Sequence, residues 1–463
     1  MTRCELLLCG LLLASIASCS DSAADQGAGA APAAPPASPV IATAAASVQP
    51  SRDRAPQPSA TDWPRFRNAD GSGVATGGVP TEWSATNNLL WKTPLPGPGS
   101  SSPIVFGDRV YVTCYSGYGL SVKSPGSMAE LKRHLVCVGR DDGKIRWTQT
   151  LASDQDVAPF KDEIAIGRHG YATATPAADA SGVYVFYGSG GVVAYSHAGK
   201  QIWRASCGTR FHEWGTASSP LIYEDLLIIH ADVESHALIA LDKRTGKEKW
   251  RLANEKGPST WSTPIIASAS GRDELIFSNG NGKVAGVDPD RGTLLWECQT
   301  HVGLINASPV ACEGAVVVFG SYSGKAAAVR MGGRDDVAAT HKLWEINKGA
   351  YISSPVYHDG HLYFTRDGRV VYCVNAKTGE TVYQDRIESH DIAASPVIAG
   401  GKLYYVSTIA GTFVLDAKPQ FRQIAHNILV GDDSVFNGTP AVTGNRLLLR
   451  SNRFLYCIAA RED

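Results

Sequence analysis

The sequence predicts an all-β chain folded as an eight-bladed β-propeller with four-stranded blades, closed by an N-terminal strand that completes the last blade. Three observations predict it. A Ser/Thr-Pro pair opening an apolar run recurs eight times, each copy is followed by short β-rich runs separated by Gly, Asp or Asn turns, and most copies end on a large aromatic residue. Composition agrees: 47 Gly, 3 Met and 19% charged residues among 463 suit strands and tight turns rather than long surface helices.

Residues 1–18 read as a lipoprotein signal peptide. Arg3 precedes an apolar stretch from Leu6 to Ile16, too short to span a bilayer but right for the core of such a signal. The stretch runs into Ile16-Ala17-Ser18-Cys19, a lipobox-like ending that makes Cys19 the lipidation site and first mature residue. The chain is therefore expected as an exported bacterial lipoprotein on the periplasmic side of the cell envelope, meeting the membrane through its lipid anchor only. Residues 19–60 are dominated by Ala, Pro, Ser and Gly and bury too little apolar surface to offset ordering entropy, so they read as a disordered tether. Residues 61–88 carry Asp62-Trp63-Pro64-Arg65-Phe66-Arg67, Asp70-Gly71-Ser72-Gly73 and Trp83, an aromatic-rich segment expected to pack on the main body as a cap.

Residues 89–463 hold the repeats. The pairs are Ser102-Pro103, Thr175-Pro176, Ser219-Pro220, Thr263-Pro264, Ser308-Pro309, Ser354-Pro355, Ser395-Pro396 and Thr439-Pro440. Their spacing, roughly 40 to 70 residues, is that of a propeller blade. Trp147, Trp203, Trp250, Trp296, Trp344 and Tyr383 end the outer strands and are expected to wedge between blades, with Phe421 standing in for the seventh repeat. The eighth repeat stops after Leu455-Tyr456-Cys457-Ile458, and Leu89-Leu90-Trp91-Lys92 supplies its missing strand. A Ser/Thr-Pro pair present in every blade is structural: its hydroxyl satisfies backbone, and Pro suits the first residue of a strand.

A net charge of -1, from 43 basic and 44 acidic residues, leaves no electrostatic footprint for nucleic acid. Beyond the signal and Cys19, seven cysteines remain. Cys137, Cys373 and Cys457 share one repeat slot and read as buried strand residues, while a Cys114–Cys137 cross-strand bridge stays open. There is no Cys-x-x-Cys pair, and Asp288-Pro289-Asp290 reads as a hairpin turn rather than a calcium loop.

Trp63-Pro64-Arg65-Phe66-Arg67, Ala217-Ser218-Ser219-Pro220, Ala240-Leu241-Asp242 through Lys247, and Leu455-Tyr456-Cys457-Ile458 resemble the pyrroloquinoline-quinone-like (PQQ-like) repeat proteins over nearly everything after residue 60. That resemblance implies the quinoprotein alcohol dehydrogenase-like propeller. It also implies one of two roles, a PQQ-dependent dehydrogenase using Ca²⁺ or a non-enzymatic propeller like the outer-membrane β-barrel assembly lipoprotein. The dehydrogenases of the family resemble one another in a disulfide between adjacent cysteines, and this sequence has no Cys-Cys pair. The reading is thus a non-catalytic binding scaffold of the cell envelope, with no cofactor or metal expected. PQQ with Ca²⁺ enters only under the dehydrogenase alternative, and a glycan-binding propeller is the third reading.

Function is to be sought just ahead of each inner strand, where connections between blades converge around the axis. Those segments carry Arg168, His169 and Tyr171, then Arg210, His212, Glu213 and Trp214, then Trp261, Asn306, Tyr351, His390, Asp391 and Asn437. Polar and aromatic in equal measure, this set suits a polar ligand, peptide or saccharide, or an envelope protein partner, on a monomeric chain. His169, His212 and His390 fall in separate repeats with no short-range spacing for a metal.

Overall fold

A computed structural model describes residues 59–460 except 154–158, 161, 255–256 and 367, so the signal peptide, Cys19 and the tether lie outside the described residues. Eight antiparallel meanders follow one another around an axis, each running from a three- to five-residue inner strand to an outer strand of five to eight residues. The inner strands are Ile104–Phe106, Ala177–Asp179, Leu221–Tyr223, Ile265–Ala269, Val310–Cys312, Val356–His358, Val397–Ala399 and Ala441–Thr443. Each begins just after a Ser/Thr-Pro pair. The ring closes as expected: Leu89–Pro94 lies antiparallel on Phe454–Ile458 and becomes the outer strand of blade 8. Two blades gain a fifth strand, Val74–Ala75 on the inner edge of blade 7 and Asp335–Asp336 on the outer edge of blade 4.

The repeated pair forms a belt. The Ser102 N–H donates to Thr175 Oγ1 (2.9 Å), Thr175 N–H to Ser219 Oγ (3.0 Å), and Ser219 N–H to Thr263 Oγ1 (3.0 Å). The same link continues through Ser308, Ser354, Ser395 and Thr439 at 2.9–3.0 Å. Proline takes the next position because no donor is needed there. At the junction of blades 8 and 1 a buried arginine spans the seam, Arg450 donating to Ser101 O and Oγ (both 2.8 Å) and to Thr113 O (2.7 Å).

The outer rim is joined by indoles. Trp91, Trp147, Trp203, Trp250 and Trp344 each donate Nε1–H, at 3.0 Å, to a carbonyl in the hairpin of the next blade: Arg140, His197, Lys243, Pro289 and Ala376. Trp296 departs, donating instead to the buried Glu274 of its own blade at 2.7 Å beneath the added strand Asp335–Asp336. Phe421 is a correction. It precedes the outer strand Gln423–Asn427 and packs edge-on against Tyr383 of blade 6, while Ala425 holds the wedge position.

All seven described cysteines are buried and free. The Cys114–Cys137 bridge is not formed, because Cys114 pairs across the sheet with His134 and Cys137 with Tyr111.

The segment between Ser59 and Pro94 does more than cover the body. Trp63 pairs with Val105 of blade 1, Pro64 O accepts from Ala178 N of blade 2 (2.8 Å), and Arg67 donates to Pro355 O of blade 6. The chain then leaves along blade 7 through Val74–Ala75, and Trp83 N donates to Asn427 Oδ1 (2.8 Å). It therefore crosses the axis from one side of the ring to the other, with Arg65 and Arg67 buried.

Candidate functional site

Because the cap crosses one end of the axis, the channel is a cup. A cavity of about 310 Å³ has Phe66 of the cap among its lining residues, and the side chains of all eight Ser/Thr-Pro motifs line its wall. Among the sequence candidates, Arg168, His169, His212, Trp214, Trp261, Asn306, Tyr351 and Asn437 meet around it. Among the described residues no Asp or Glu lines it.

The mouth is crossed by a short helix, Glu163–Arg168, between blades 1 and 2. Asp162 caps it, accepting from Ala165 N at 2.8 Å, and Glu163 takes bonds from Ser121 Oγ and Val122 N. From its far end Arg168 Nη2 donates to Asp391 Oδ2 of the blade 6–7 connection (2.6 Å), and Asn437 Nδ2 donates to Gly167 O (2.6 Å). The helix thus covers one sector. On the other side His169 meets Trp214 edge-on (5.7 Å), His212 meets Trp261 (4.9 Å), and Trp261 Nε1 donates to Gly215 O (2.8 Å). Tyr322 and Tyr351 continue this aromatic crescent, 5.3 Å apart. Burial, with the Arg168 and His212 charges, pushes the His169 ring down to about 4, so it is neutral near pH 7. His169 Nδ1 and Asn306 Oδ1 are buried without partners among the described residues.

The other candidates sit elsewhere. Tyr171 turns into a side crevice with Phe160, Tyr187 and Phe211, its ring 4.7 Å from that of Phe160 and tilted 60° to it. Arg210, Glu213 and His390 are exposed on the rim, and Asp391 reaches the cup only through Arg168. Phe66, Tyr322 and the motif hydroxyls were missed. The hydroxyls were visible in the sequence but were read as scaffold alone; Tyr322 lies in a hairpin between the second and third strands of blade 5, a kind of turn that opens on the same face.

That face is also apolar at its rim. Leu120, Ile164, Phe211, Tyr322, Ile409, Ile428 and Val430 are exposed, and all lie in inter-blade connections or second-to-third-strand turns, which an antiparallel meander places on the mouth side. Among the described residues no three His, Cys, Asp or Glu are grouped to hold a metal ion, and no helix is long and apolar enough to cross a membrane.

The sequence pattern of one family, described as outer membrane protein assembly factor BamB, matches residues 131–384 and 334–419. The chain belongs to this PQQ-like, BamB-type propeller family. A BamB of Yersinia pestis is 23% identical over 345 residues, covering 70% of this chain and 79% of the relative. A tetrathionate hydrolase of Acidithiobacillus ferrooxidans is 22% identical over 404 residues, covering 76% and 74%. Among solved structures, BamB from Moraxella catarrhalis superposes with a TM-score of 0.57 at 14% identity over 81% of this chain and 98% of that one. A europium-containing methanol dehydrogenase matches equally well, TM-score 0.57 at 13% identity over 84% and 89%. At these identities the two structures speak to the BamB-type fold alone.

Proposed function

We propose that this chain is a non-catalytic, lipid-anchored scaffold of the cell envelope that binds a protein partner on its mouth face and a small polar ligand in the axial cup. One observation carries the reading: the cup wall is built of hydroxyls, imidazoles and aromatic rings, and among the described residues no carboxylate lines it. A quinone with Ca²⁺ requires carboxylate and amide oxygens around the ion and a carboxylate base for the substrate proton. The wall offers only amides for that purpose, Asn306 and Asn437, and Asn437 Oδ1, the atom that would ligate, already accepts from Thr408 Oγ1 at 3.4 Å. The residues present therefore do not fit the quinone–calcium pair. The apolar rim supports a protein partner, since exposed apolar side chains gathered on one face mark interaction surfaces. Membership of a family named for outer membrane protein assembly supports an envelope partner, and the lipobox at Cys19 supports the anchor.

The test is direct. Purified chain is mixed with PQQ and Ca²⁺, and the quinone absorbance and dye reduction with alcohols and sugars are followed. We expect an unshifted spectrum and no turnover; stoichiometric quinone uptake with substrate-dependent reduction would refute the scaffold reading.

A further inference from the structure

We infer that the axial cup binds a small dianion rich in oxygen acceptors, held on the axis between Phe66 and Arg168. The inference rests on reading the cup as a binding site rather than a redox site. It starts from the belt. In seven of the motifs the hydroxyl oxygen accepts a backbone N–H from the neighbouring blade, which leaves its own proton to donate. None of these hydroxyls has a protein acceptor among the described residues, and Ser102, the eighth, makes no side-chain bond there. All eight line the cup, so their O–H dipoles converge on one axis.

Formal charge reinforces the dipoles. Just beneath the floor, Arg65 and Arg67 flank Phe66 and are 5% and 1% exposed, while the nearby carboxylate, Asp70, is at the surface. Arg67 Nε and Nη1 are buried with no partner among the described residues. Burial lowers Arg65 to about 10 and Arg67 to about 9, so both remain cationic at neutral pH. At the mouth Arg168 adds a third guanidinium, balanced among the described residues by Asp391. A low-dielectric cleft whose charges and dipoles share one sign focuses potential onto its occupant.

Size sets an upper limit: at about 310 Å³ the cup lies at the small end of the range for small-molecule pockets, roughly 300–1,000 Å³, with room for a small anion. A saccharide fits less well. It carries no formal charge and so gains nothing from the three guanidinium groups around the cup.

The experiment titrates the purified chain with succinate and with sulfate, against dimethyl succinate and glucose as neutral controls, reading tryptophan fluorescence and Tm. We expect saturable binding of at least one dianion at low salt, weakened several-fold at high salt because the attraction is Coulombic. Arg168→Gln should weaken that binding about tenfold, and Asp391→Asn, which frees Arg168 from its ion pair, should tighten it several-fold. Both side chains are at the rim, so an unchanged Tm without ligand verifies folding. Neutral controls binding as well as the dianions, flat titrations with both dianions, or two variants indistinguishable from the parent would each overturn the inference. Flat titrations leave the scaffold reading standing, whereas turnover of added quinone counts against that reading and not against the measured anion affinity.

Discussion

At the scale of single residues, the slot shared by Cys137, Cys373 and Cys457 has a steric cause. These cysteines face Trp147, Tyr383 and Trp91 across the sheet. The same position holds Ala194, Ala240, Gly286 and Ala328 opposite Trp203, Trp250, Trp296 and Trp344. Only in blade 7, where the partner shrinks to Ala425, does it grow to Val414. The slot was legible in the sequence as a repeat; its pairing with the aromatic was not, because a bulge in each hairpin shifts the register by one. Glu234 illustrates what the sequence hides altogether. It is 2% exposed in a turn of blade 3, and its carboxyl is raised to about 7 by burial, assisted by Asp232 and opposed by the Thr216 hydrogen bond and Arg210. A carboxyl raised in the folded state binds a proton more tightly there than in the unfolded chain, so its stabilising contribution is complete below about pH 4.5 and is lost as pH climbs through about 7. Glu234→Gln keeps an acceptor for Thr216 without the charge. We expect it to raise stability by of order 2 kcal/mol at pH 8 and to have little effect at pH 4.5, as measured by urea unfolding at the two pH values.

Single elements reveal why a Gly recurs in the outer hairpins. Gly246 has φ +73°, and a methyl there would lie 2.6 Å from the Trp203 ring; Gly199 and Gly292 stand in the same relation to Trp147 and Trp250. The glycine thus serves the turn and the docking of the neighbouring indole together. Gly401 isolates the first role, having φ +70° with nothing within 4 Å of a built Cβ. We expect Gly401→Ala to cost about 1 kcal/mol and Gly246→Ala to cost about 1–3 kcal/mol more, a difference read from their denaturation midpoints. The repeat grammar made these hairpins and the wedge predictable. The path of the cap was not, since Arg67 and Pro355 are 288 positions apart and no periodic pattern links them. For the same reason nothing in the sequence marks Phe66 as lining the cup. The connections just ahead of each inner strand did bring eight candidates to the cup, because the topology fixes where those segments end. Tyr171 and Glu213 were not excluded by that rule: it places a backbone on the correct face without telling which way each side chain turns.

For the whole molecule, the closing strand decides whether there is a ring at all. Lys92 lies mid-strand, paired with Tyr456, and its ammonium bonds Asp432 at 2.8 Å beneath a stack on Phe454. Thr93, paired with Leu455 and two residues before Leu95, whose N–H donates to Arg453 O (2.8 Å), carries a ladder donor, and Thr93→Pro removes it and exposes the edge Phe454–Ile458. We expect a fall in stability of about 3 kcal/mol or more together with aggregation on size-exclusion chromatography. Monomeric elution at an unchanged melting point would show that closure contributes little. The same seam orders events in time. The outer strand of blade 8 precedes every other meander strand in the chain and its three companions follow them all, so blade 8 remains unfinished until the other seven blades have been synthesised. During that interval the early strand has no partner and the nascent sheet has an open edge, the kind of intermediate that chaperones shield.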